Sequence, residues 1–253
     1  MAGSFHLHLS TLSPSEPDAV IQRAVDLAHR LKAELEVTVS VIDVVPMAYA
    51  VPPHFAASMV ALKSDSRARG EELVAMVREV CTRLGVRHTV SSYIASQRSN
   101  PRLAVIARTH DLSVAGLDDG DGDGRRAVEN LAFGSGRPVL VLPWRQEKPV
   151  SLGKVFVAWD HSEAAARTMA FALPLLKLAQ SVDVVSIDAG KAASVPEGVG
   201  LAADYLKRHG VAATPRTLWA DGRKLGIQLM ETAVADKAGL LVMGPTARQR
   251  PRS

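Results

Sequence analysis

Between Asp111 and Pro143 the chain reads DLSVAGLDDGDGDGRRAVENLAFGSGRPVLVLP, and this stretch holds its densest set of groups able to bind an ion. RRAVENLAF has helical spacing, with Ala127, Leu131 and Phe133 expected on one face, and glycines stand at both of its ends. Those glycines leave backbone N–H groups free of bulky side chains at a helix end, a geometry that suits a phosphate. The acidic loop offers a different chemistry. Asp119, Asp121 and Asp123 with Gly124 spell Asp-x-Asp-x-Asp-Gly, the front of a calcium loop whose alternate carboxylates converge on a hard cation. The closing bidentate Glu is missing: Asn130 occupies its place, Glu129 is one residue early, and a helix begins where the loop would continue. The loop is therefore read as an acidic turn balanced by Arg125 and Arg126, with no metal ligands. Its carboxylates, Asp118 included, oppose a nucleotide unless a cation intervenes.

The remaining reactive residues suggest no catalysis. There is no Gly-x-Ser-x-Gly elbow, no His-x-x-x-His, and no Gly-x4-Gly-Lys-Ser/Thr loop. The one cysteine, Cys81, lies within LVAMVREVCTRL as a core thiol, excludes an intramolecular disulfide, and fits a reducing compartment. His6 and His8 alternate on a strand and share a face, but a third metal ligand is lacking. Asp160 and Ser162 open a helix, where Ser162 would accept N–H bonds as its N-cap and Glu163 is favoured by the dipole.

The elements that must position these groups are those of an α/β protein. LSVAGL and PVLVLP are short apolar runs closed by Gly or Pro, the pattern of strands buried on both faces. FHLHLS, ELEVTVSVID and RHTVSSYI read as further strands, with helices over about 18–33 and 59–84 and a short one opened by Pro101. Val45 to Ala57, with Pro46, Pro52 and Pro53, is expected to be irregular, since proline denies helix and ladder bonds. WRQEKPVSLG, from Trp144 to Gly153, is read as a linker, after which strand and helix alternate again through KVFVAWD, SVDVVSID, ATPRTLWA and LLVMG. The repeated order points to an internal duplication. The chain has 253 residues, which suits two such domains, read as 1–147 and 148–253.

Hydrophobic residues make up 47% and charged residues 22%, so disorder is excluded. The net charge of +4 leans on Arg248, Arg250 and Arg252, a solvated tail with no interleaved aromatics, so no nucleic-acid partner is expected. No apolar run reaches a membrane span, and the first residues lack a basic n-region and a long h-region. The expectation is a cytoplasmic protein without a membrane partner.

LAFGSGRPVLVLP, VFVAWDHSEAAARTMAFALPLL and AGLLVMG together resemble the tandem UspA-type universal stress proteins, over essentially the whole chain. The resemblance implies a doubly wound five-stranded parallel sheet per domain, related to the adenine nucleotide alpha hydrolases, and pairing of domains. In some members it also implies ATP held by an Asp after strand one and a Gly-x2-Gly-x9-Gly-Ser/Thr loop. The first copy keeps Gly124, Gly134 and Ser135 in the Gly-x9-Gly-Ser portion, with Gly136 beside them and Gly116 ending its strand. The gap after Gly116 is too long, however, and strand one runs into Ser10 and Thr11 with no Asp. In the second copy Asp160 and Ser162 match the adenine half, His161 stands where glycine is usual, and only PTARQRPRS follows Gly244. The second domain is thus expected to lack its last helix and strand, which would leave a bare strand edge.

The resulting expectation is a non-catalytic stress-response protein acting through binding and homodimerisation, with at most weak ATP or adenine-nucleotide binding and no other cofactor. Two alternatives remain: a nucleotide-dependent enzyme or ATP-hydrolysing switch using the first-copy loop, and a cation-responsive module using residues 118–124.

Overall fold

Strand alternation and helix periodicity build two α/β units, Met1–Pro149 and Val150–Ser253. The computed structural model describes residues 3–12, 17–42, 53–95, 101–188, 190 and 198–244. Expectations that fall on Pro46, Pro52, Pro245 and the terminal arginines, including the reading of the chain's end, lie outside the described residues.

In the first unit the strands β1 (Ser4–Ser10), β2 (Glu34–Ile42), β3 (His88–Ala95), β4 (Leu112–Leu117) and β5 (Val139–Pro143) form one sheet of order β3-β2-β1-β4-β5. All its pairings are parallel. The helices α1 (Asp18–Arg30), α2 (Pro53–Leu84), α3 (Pro101–Ala107) and α4 (Gly122–Gly134) connect the strands as crossovers. On β1 the odd positions Phe5, Leu7 and Leu9 are buried in the apolar core. Val20, Ala24 and Leu27 of α1 are also fully buried, at the spacing expected of its core stripe. Across β4 and β5, α3 and α4 bury Leu103, Ala107 and Leu131 against Ala115.

Two expectations need correction here. Phe133 is exposed and does not share the buried face of α4 with Leu131. The helix α2 starts at Pro53, inside the stretch read as irregular. Proline at the first helical position loses no intrahelical bond, so it opens a helix as readily as it breaks one.

The second unit repeats the order. Its strands β6 (Lys154–Ala158), β7 (Ser181–Asp188), β8 (Ala213–Trp219) and β9 (Leu240–Val242) form a parallel sheet β8-β7-β6-β9, which matches β3-β2-β1-β4 of the first. The helices are α5 (Glu163–Leu176), α6 (Gly198–Arg208) and α7 (Leu225–Ala235). Pro215 lies in β8, an edge strand of the described sheet, where its missing N–H is tolerated. Leu229 and Ala233 of α7 pack on Phe156 and Val185. Ile227, Met230 and Val234, on the opposite side of that helix, are exposed.

One polar row crosses the first sheet. His6 and His8 share a face, as their alternation requires, and both are buried. The Nε2 of His6 lies 2.7 Å from Thr38 Oγ1 and its Nδ1 3.4 Å from Ser113 Oγ. The ring of buried His110 lies 5.4 Å from that of His6 and reaches Glu36 Oε2 at 3.2 Å. Burial, reinforced by His8 and His110, pushes the pKa of His6 down to about 3, and burial alone brings His8 down to about 4.

Both imidazoles are therefore neutral in the folded chain, while in the unfolded chain they titrate near 6.5. Below pH 6.5 the unfolded state binds more protons, so stability is lost as pH falls toward 4, by up to about 1.4 kcal/mol per pH unit for each histidine. Urea titrations of the full chain from pH 7.5 to 4.5 should show this decline, and His6→Gln should flatten it. A stability independent of pH in that window would contradict the buried neutral assignment.

Candidate functional site

Loops at the carboxyl ends of the strands are where ligands of open α/β sheets bind, and the candidate residues of the first unit divide between the two ends of α4: Gly116 and Gly124 lie at the carboxyl end of β4, whereas Gly134, Ser135 and Gly136 precede β5 at the amino ends of the strands. Gly124 lies in the first turn of α4, whose N-cap is Asp121. Its N–H donates to Asp121 Oδ1 at 2.8 Å, and a side chain at Gly124 would run into that carboxylate. At the other end of α4, Ser135 Oγ donates to Leu131 O at 2.5 Å and accepts from Arg137 N at 3.0 Å, while Ser135 N donates to Leu131 O at 3.2 Å. Gly134 allows the close approach of α3: a Cβ there would stand 2.9 Å from that of Ala104. Its carbonyl accepts from Arg108 Nη2 at 3.1 Å. Gly136 adopts a left-handed φ of 70°, the turn geometry that glycine permits.

Gly116 has a different task. Its missing side chain makes room for the indole of Trp144, which is 3% exposed and would overlap any Cβ at position 116. Trp144, read from the sequence as the start of a linker, is thus a core residue. Its N–H donates to Asp118 Oδ1 at 3.1 Å, and Arg145 pairs with the other carboxylate oxygen at 3.2 Å. The tryptophan went unrecognised because nothing in the sequence shows that Gly116 leaves a slot for it.

Three of the loop's four carboxylates are engaged, and Asp119 is exposed. Asp118 holds the Trp144–Arg145 segment, Asp121 caps α4, and Asp123 pairs with Arg126 at 2.9 Å. Among the described residues no group of three or more His, Cys, Asp or Glu side chains is placed to hold a metal. Burial pushes the Cys81 thiol up to about 11, which disfavours the nucleophilic thiolate.

In the second unit Asp160 and Ser162 act at the start of α5. Ser162 is the N-cap, accepting from Ala165 N at 3.1 Å, and Asp160 Oδ1 accepts from Ser162 N at 3.0 Å. Between them His161 has a φ of 65°, a left-handed conformation uncommon for a residue other than glycine. It is held by the indole N–H of Trp159, which donates to its Nδ1 at 3.2 Å, and by packing on Gly198. Asp160 and Ser162 are therefore organised for the local turn.

No protein-family model matches the chain, and no curated protein matches it. Solved structures do match. A universal stress protein from Archaeoglobus fulgidus DSM 4304 aligns over 94% of this chain and 86% of its own, with a TM-score of 0.67 at 13% identity. A protein described as a putative universal stress protein, from Pseudomonas aeruginosa UCBPP-PA14, aligns over 99% of this chain and 84% of its own, with a TM-score of 0.58 at 16% identity. The chain has the α/β fold of the universal stress proteins.

Two substitutions test these local roles. Gly116→Ala should destabilise the free protein by about 1–3 kcal/mol, because the added methyl overpacks the Trp144 slot. Ser162→Ala should cost ~1 kcal/mol through loss of the cap. Chemical denaturation measures both, and a silent Gly116→Ala would show that the slot is not filled as described.

Proposed function

We propose that this protein is a non-catalytic member of the universal stress type, acting in the cytoplasm in stress response through binding and self-association. Its affinity for ATP or another adenine nucleotide is at most weak. The observation that carries this reading is the state of the loops around α4. The groups that the family resemblance assigns to phosphate, the Gly124 N–H and the Ser135 hydroxyl, are bonded within the chain. Any nucleotide binding resides in the first unit, at Gly116 and Gly124 or, at the opposite end of α4, at Gly134, Ser135 and Gly136, and must displace those bonds. Among the described residues, no helix is long and apolar enough to cross a membrane.

Self-association fits the strand edges. Among the described residues β5 pairs only with β4, and β9 only with β6. A strand edge without a neighbouring strand is a template for pairing with another chain. Val141 on β5 and Met243 just beyond β9 are exposed apolar residues at those edges, and a second copy of the chain is the expected occupant.

Equilibrium dialysis of the full chain with labelled ATP should show little retention, and micromolar binding that survives Ser135→Ala would sink the assignment. Sedimentation velocity across a concentration series should show a dimer that Val141→Lys or Met243→Lys weakens. A strictly monomeric parent chain would remove self-association from the account.

A further inference from the structure

The N-terminus of a 13-residue helix at the carboxyl end of a parallel strand is where an open α/β sheet ordinarily presents N–H groups to an anion. In α4 that place is already taken. Asp121 follows the turn after β4 and is 8% exposed. Its backbone is fixed on both sides, since Asp121 N donates to Asp118 O at 3.2 Å and Arg125 N donates to Asp121 O at 3.0 Å. Its side chain therefore folds back over the helix, with Oδ1 on the Gly124 N–H at 2.8 Å. The second carboxylate oxygen, Oδ2, is buried with no hydrogen-bond partner among the described residues and lies where a Cβ on Gly124 would stand. Glycine at 124 is thus required by this carboxylate, which makes the surviving motif glycine part of the cap. The Gly116 side of the crevice is closed as well, by the Trp144 indole.

We infer that Asp121 is a resident anion. Its carboxylate occupies the helix N-terminus that a phosphate group would otherwise take, and the first unit excludes phosphate-bearing ligands by being liganded from within. Two features distinguish this from simple charge repulsion by an acidic loop. Asp118 and Asp123 are paired with Arg145 and Arg126, and Asp119 points its charge at solvent from an exposed position. Asp121 acts instead by occupancy, holding the donor and filling the volume above it.

The inference rests on the weak nucleotide affinity proposed above and names the residue responsible. Three full-length proteins test it: the parent chain, Asp121→Asn and Asp121→Gly. Asparagine keeps an oxygen on the Gly124 N–H without the charge, whereas glycine vacates the place and is itself a tolerated N-cap. Circular dichroism and thermal melting establish that each is folded, and calorimetric titration with inorganic phosphate and with magnesium-ATP reads affinity. The parent and Asp121→Asn should bind neither ligand below millimolar concentration, and Asp121→Gly should gain at least tenfold for both. A folded Asp121→Gly with no gain would overturn the resident-anion role and leave the proposed function standing. An equal gain in Asp121→Asn would also overturn it, since charge alone would then be the barrier, and micromolar ATP binding by the parent would overturn both readings. Amide hydrogen exchange on the parent gives an answer that does not depend on any variant folding. Exchange at Gly124 should be slow and unchanged by phosphate, and exchange that phosphate slows would contradict the occupied N–H.

Discussion

A parallel sheet buries both of its faces, so any polar group carried into it must find a partner within the chain. The two units meet that constraint at the same position in different ways. In the first, β1 brings His6 beside Glu36 of β2, and the row is completed by Thr38, Ser113 and His110. In the second, the equivalent pair is Phe156 beside Asp183, and Asp183 is neutralised by Lys154 at 3.2 Å and Arg216 at 3.8 Å. Asp236 joins that group, and its hydrogen bond and ion pair with Arg216 hold its carboxyl below the usual range. Both cations also lie over the Phe156 ring, 5.4 and 5.8 Å from its centroid. Two buried neutral histidines in one unit thus correspond to an ionic group in the other. Between pH 6.5 and 4 those histidines make the first unit lose stability as pH falls.

The same requirement shapes the loops. A loop built to receive a phosphate must hold N–H and hydroxyl groups in waiting, unsatisfied until the ligand arrives. In the first unit those groups are consumed at home by Asp121, Leu131 and Ser135 itself. In the second, Ser162 and Asp160 serve the cap of α5, and the slot where glycine is usual is filled by His161 on Gly198. What resembles two halves of a nucleotide site is, in the free protein, two sets of turn and cap interactions. Binding of nucleotide then has to pay twice, for its own ordering and for the bonds it breaks.

Much of the fold could be read in the sequence, because buried parallel strands declare themselves as apolar runs and their covering helices as 3.6-residue stripes. The succession of elements, its repetition and the shared face of His6 and His8 all followed from those two periods, whereas the doubly wound sheet was an implication of the family resemblance. Contacts between distant parts of the chain did not. His110 lies in a turn, and nothing in its neighbourhood announces that it meets Glu36 across 74 positions. Trp144 looked like the first residue of a linker because the space it fills is made by a glycine on another strand. The start of α2 was missed since proline has opposite meanings inside a helix and at its first position. For the candidate site, the residue types were legible and their hydrogen-bond partners were not, and the partners decide whether a glycine-rich loop is open or closed.

The most direct measurement is the thermal midpoint of the full chain with and without millimolar magnesium-ATP. A ligand present at a hundred times its dissociation constant adds about 2.7 kcal/mol to the native state, enough to raise the midpoint by several degrees. With the donors around α4 already bonded, the account predicts no shift. A rise of several degrees that saturates in the micromolar range would show that the loops open to nucleotide, and would contradict it.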